Sequence, residues 1–107
     1  MIDGISRRVI ESYPEIRLTE LSPQLDQVFL GPDLVADFYE LSVSIRLCSR
    51  EENDSPHLWR EIAYSDPEYE DKLRRYLDVR LKYTPEERLR YLRQEQVKLY
   101  FENRRKA

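Results

Sequence analysis

Catalysis or metal binding needs a nucleophile, a proton carrier or several ligating side chains brought together. This chain has 107 residues, of which one is histidine and one is cysteine. His57 follows Ser55-Pro56, a helix cap and its first position, which predicts an exposed first-turn residue. Cys48 has no base in view to take its proton, and it reads as a small core residue. One His and one Cys would need carboxylates to complete a metal site, and no ligand spacing supplies them. Glu51, Glu52 and Asp54 fall in a polar stretch. Glu68, Glu70 and Asp71 fall in a first helical turn, where they complement its dipole. Gly4 and Gly31 stand alone and cannot form a phosphate-cradling loop. No catalytic, cofactor-binding or metal-binding residue is expected, and the chain reads as a non-enzyme.

The remaining candidates act by contact. Between residues 67 and 82, Leu73, Leu77 and Leu81 recur at four-residue steps, and Tyr69, Tyr76 and Tyr83 at seven-residue steps. At about 100° per residue the apolar arc of this helix spans roughly 200°, twice the stripe of an ordinary surface helix. The next helix is similar, with Leu92 and Leu99 on one side, Leu89 and Tyr100 central, and Val97 and Phe101 on the other. Such width implies two neighbours: both are helices of the same chain, or one is a second protomer or another protein. The expected partner-binding residues are Tyr69, Tyr76, Tyr83, Val97, Tyr100 and Phe101. They suit an adaptor or regulatory subunit that contacts another protein or a second copy of itself.

A second motif points elsewhere. Residues 96–107 read QVKLYFENRRKA, and Tyr100, Phe101, Asn103 and Arg105 resemble the Trp-Phe-x-Asn-x-Arg order of a homeodomain reading helix. Gln96, Val97, Lys98 and Arg104 also agree with that pattern. The resemblance implies an Asn that reads adenine and Arg residues that hold phosphates. It stops upstream: Glu68 and Lys72 fall on that family's buried first-helix positions, and Arg93-Gln94-Glu95 replaces its turn without a break residue. What persists is an alternative function, a nucleic-acid-binding regulator using residues 85–106. Its contacts would be Arg93, Lys98, Asn103, Arg104, Arg105 and Lys106, with Arg88 and Arg90 beside them. Glu86, Glu87, Glu95 and Glu102 interleave with these, and the isoelectric point is about 5.3, whereas nucleic-acid footprints are more one-sided.

The elements that must position these residues follow from punctuation. Ser22-Pro23, Ser55-Pro56, Asp66-Pro67 and Thr84-Pro85 each pair a capping oxygen with proline at the first helical position. Thr84-Pro85-Glu86-Glu87 completes a capping box, and Gly31-Pro32-Asp33 reads as one helix ending and another beginning. Helices are predicted over 4–13, 23–30, 32–48, 56–64, 67–82 and 85–105. The third rests on Leu34, Phe38, Leu41, Ile45 and Cys48 at steps of four and three. The same segment alternates as a strand at Leu41, Val43, Ile45 and Leu47, and residues 15–21 offer the only partner strand. The expectation is therefore an all-α bundle of five or six helices in one domain over 1–107. N-terminal helices fill 1–48, a loop 49–54, a short helix 55–66, and a long antiparallel helical hairpin 67–107.

Charge is uneven along this plan. Residues 1–66 carry six Lys/Arg and thirteen Asp/Glu, net −7, while residues 67–107 carry twelve and eight, net +4. No apolar run has the roughly 18 residues of a membrane span, no signal-peptide block opens the chain, and the single cysteine excludes an internal disulfide. These features predict a cytoplasmic protein without membrane contact.

Overall fold

The computed structural model describes residues 2–52 and 58–106, with side chains as far as Arg104. It is a five-stranded antiparallel sheet with three helices, 43% helix and 29% strand, which overturns the all-α bundle of five or six helices. The order along the chain is α1 (Gly4–Glu11), β1 (Arg17–Ser22), β2 (Leu25–Leu30), β3 (Asp33–Phe38), β4 (Ser42–Arg46), β5 (Trp59–Ala63), α2 (Tyr69–Leu81) and α3 (Pro85–Lys106). Each strand pairs with the next, so the sheet is a meander.

Register explains the core. Asp26, Phe38, Val43 and Ile62 form one cross-sheet row, and Val28, Ala36 and Ile45 form the next. Both rows are buried. Helices α1 and α2 cover them with Val9, Ile10, Leu73 and Leu77, joined by Tyr13 and Tyr69. The opposite face lacks a covering element among the described residues, and its cross-strand row is polar: Thr19, Gln27, Asp37, Ser44 and Glu61. One dry and one wet face is the ordinary economy of an antiparallel sheet.

Three predicted helices are strands, and local chemistry shows why. Ser22-Pro23 does offer its oxygen to backbone N–H groups, those of Gln24 and Leu25 at 3.3 and 3.2 Å. It does so in the β1–β2 turn, because the same side chain caps turns and helices alike. Gly31 carries a φ of 59° at the first position of the β2–β3 turn, and Pro32 follows it. That positive φ matches the twist of a hairpin, so Gly31-Pro32 reverses a chain instead of separating helices. In residues 32–48 the alternation decides: Val43, Ile45 and Leu47 are buried, whereas Leu41, counted in the helical stripe, is 78% exposed at the β3–β4 turn. Residues 17–22 supply the outer strand. The predicted helix 56–64 is β5 over Trp59–Ala63, and its start, with Ser55, Pro56 and His57, lies outside the described residues.

Tyrosines fasten the helices to one another. The Tyr13 hydroxyl donates to Asp78 Oδ1 at 2.6 Å and to the Arg74 carbonyl at 3.2 Å, tying the end of α1 to α2. Tyr69 shares a 2.5 Å hydrogen bond with Ser6 on α1 and meets Tyr64 edge-on at 5.4 Å. Burial pushes the Tyr64 phenol up to about 12, and burial likewise raises Tyr13, Tyr69 and Tyr91. The unfolded chain ionises these phenols near pH 10, whereas the folded chain holds their protons to higher pH. Their contribution is therefore complete below pH 10 and is lost as pH rises through the folded values. Absorbance at 295 nm is expected to show a late step of tyrosine ionisation in the native protein, displaced to higher pH by burial of Tyr13, Tyr64, Tyr69 and Tyr91. The displacement should vanish in denaturant. A native titration that coincides with the denatured one would contradict this packing.

Candidate functional site

The candidate site is the outer surface of α3, and three sets of contacts aim it. First, the capping box forms: Thr84 N–H donates to Glu87 Oε1 at 2.9 Å, and Glu87 N–H donates to Thr84 Oγ1 at 3.2 Å. The backbone and hydroxyl bonds hold the Glu87 carboxyl below its usual range. Second, Arg88 is buried at 9% exposure. Its Nη1 donates to the carbonyls of Val79, Arg80 and Tyr83 at 3.0, 3.0 and 3.3 Å. These are the open carbonyls at the end of α2, so one cation caps that helix and docks the next. Glu52 completes the joint, at 3.0 Å from Arg88. Third, Glu95 accepts from Arg60 of β5 at 2.8 Å and from the Tyr91 hydroxyl at 3.1 Å.

As far as Glu95 the inner side of α3 is thereby spent on the body, by Arg88, Tyr91 and Glu95; from Gln96 to Arg104 every residue is exposed. At about 100° per residue, the opposite side carries Glu86, Arg93, Val97, Tyr100 and Arg104, with Leu89, Arg90 and Phe101 flanking. Every one of these residues is exposed. Leu89, Val97, Tyr100 and Phe101 are 51–57% exposed, although each is large and apolar. Tyr100 and Phe101 meet edge to face at 5.6 Å, and the Arg104 guanidinium lies 5.8 Å over the Tyr100 ring. Leu99, 58% exposed, lies on the inner side in line with Arg88 and Glu95, and lines the groove formed with Leu58 and Arg60.

The residues expected at a partner surface separate into two groups. Val97, Tyr100 and Phe101 lie together on the outer face. Tyr69 is a core residue. Tyr76 is half-buried and lines a groove of about 450 Å³ between α2 and α3 with Tyr91 and Lys98. Tyr83 packs edge-on against Tyr91 at 6.2 Å. The wide apolar arc of α2 is thus divided between the sheet on one side and α3 on the other. Of the residues considered for nucleic acid, Arg93, Lys98, Asn103 and Arg104 are exposed, and the side chains of Arg105 and Lys106 lie outside the description. Arg88 is committed to the α2 carbonyls. Its role was not legible from sequence, since nothing local marks an arginine whose targets lie five to nine residues back and in a distant loop.

Chemical groups elsewhere are engaged structurally. Burial, and then a hydrogen bond with Glu52, raises the Cys48 thiol and disfavours its nucleophilic form. Arg80 donates to the Leu34 and Arg46 carbonyls at 3.1 and 2.9 Å, pinning α2 to β3 and β4. On the polar sheet face, Gln27 donates to Asp37 at 2.7 Å and Ser42 to Glu61 at 2.9 Å. Among the described residues no three His, Cys, Asp or Glu side chains are grouped to hold a metal. No helix there is long and apolar enough to cross a membrane. The chain matches no family model, no curated protein and no solved structure.

Proposed function

We propose that this chain is a non-enzymatic, cytoplasmic protein–protein interaction module that binds through the outer face of α3. One observation carries the reading: Leu89, Val97, Tyr100 and Phe101 face water together on a helix that is docked through Arg88, Tyr91 and Glu95 and exposed beyond them. Single exposed apolar side chains are ordinary, but a clustered set rimmed by arginine is the composition of an interface core and its rim. Tyr and Arg are also the residue types that most often anchor binding.

Phe101→Asp is expected to abolish association while leaving the circular dichroism spectrum and the unfolding midpoint near those of the wild type. Co-purification of purified partners, or self-association, followed with both proteins measures it. Unchanged association would remove α3 from the interface, and unfolding of the variant would make Phe101 a core residue. The same experiment run with nuclease tests the nucleic-acid alternative, because loss of association on nuclease treatment would transfer the face to that ligand.

A further inference from the structure

We infer that the outer face of α3 pairs with the same face of a second copy, antiparallel, about a two-fold axis near residue 95. The inference rests on the interaction reading above and names its partner. Its basis is self-complementarity in one register. With the axis there, Glu86 lies opposite Arg104 of the other copy, Leu89 beside the Tyr100 ring on one edge, Arg90 over the Phe101 ring on the other edge, and Arg93 opposite Val97. All eight outward residues find a suitable neighbour: an ion pair, an apolar pair, a cation over a ring, and an arginine stem on a valine. Each contact occurs twice, as a two-fold axis requires.

A parallel pair lacks this match. It would set Arg90, Arg93 and Arg104 each against its own copy and align the two helix dipoles. The size is adequate but small. Four large side chains more than half exposed, with the arginine stems, put roughly 1,000 Å² into the pair, at the lower limit for a specific interface. The face also keeps three arginines against one glutamate. Residual like charge makes the pair a weak one that strengthens with moderate salt. Phosphate-driven binding has the opposite salt dependence.

Sedimentation velocity from about 5 to about 200 μM, a range suited to a weak interface, tests the register. The wild type is expected to show a concentration-dependent dimer. Glu86→Arg alone and Arg104→Glu alone should each weaken it about ten-fold, since each sets like charges at both ends. The double variant should return to within about three-fold of the wild type, because both pairs are restored in reverse. Phe101→Asp serves as the monomeric control, and circular dichroism confirms that every variant is folded. A double variant no better than the single ones overturns the antiparallel register. A wild type that stays monomeric throughout overturns self-pairing, and the interaction reading survives that result only if Phe101→Asp abolishes binding of a different, purified protein. If Phe101→Asp changes neither, both readings fall.

Discussion

Replacing Arg88 with alanine is expected to cost about 3 kcal/mol of stability and to loosen α3 from the body. The guanidinium serves three carbonyls at the end of α2 and the Glu52 carboxylate, from a position nearly closed to water. Its loss leaves those carbonyls without their cap and Glu52 without its cation, while water reaches the partly open Glu52 and offsets part of the cost. Arg88→Lys should recover less than half. An ammonium is a compact charge and cannot address the helix end and the carboxylate together. Urea unfolding gives the global loss, and hydrogen exchange over residues 85–106 separates undocking of α3 from unfolding of the whole. Unchanged exchange together with a loss under about 1 kcal/mol would show that α3 is held by something else.

Leu77→Ala should be comparably damaging, at about 3 kcal/mol, for a different reason. Leu77 is fully buried where α2 seals the inner face of the sheet, so truncation leaves a cavity that packed strands cannot close. The informative contrast is Phe101→Ala, which removes a larger side chain and should shift stability by less than about 0.5 kcal/mol. The two residues look alike in the sequence, since both fall on apolar helical stripes. Unfolding midpoints of both variants measure the difference. A small loss at Leu77 would contradict the core, and a large one at Phe101 would mean that the outer face is buried.

That contrast shows how far the sequence could be read. Helices α1, α2 and α3 were legible because their apolar spacing and starts are local properties, as the capping box at Thr84 and Glu87 shows. The strands were not, for particular reasons. Ser-Pro and Gly-Pro mark a change of direction without stating what lies on either side of it. In residues 32–48 the turn at 39–41 shifts the inward parity from Ala36 and Phe38 to Val43 and Ile45, and the exposed Leu41 of that turn completes the apparent steps of three and four between Phe38 and Ile45. Of the expected contact residues, Val97, Tyr100 and Phe101 share one face, whereas Tyr69 is buried in the core, Tyr76 is half-buried in a groove, and Tyr83 is exposed beside Tyr91.

By itself the sequence determined the changes of direction that proline and glycine mark (though not the one at 39–41), which segments can be amphipathic helices, and that α3 carries more apolar surface than one neighbour can cover. Each is decided within a few residues, by the geometry of proline and glycine, by capping oxygens and by helical periodicity. Tertiary structure alone decided that the middle of the chain pairs as a meander, since a strand gains its hydrogen bonds only from a partner elsewhere. It also decided which side of α3 stays open. That depended on Arg88 reaching the end of α2 and on Glu95 reaching Arg60, contacts between residues whose meeting no local spacing encodes.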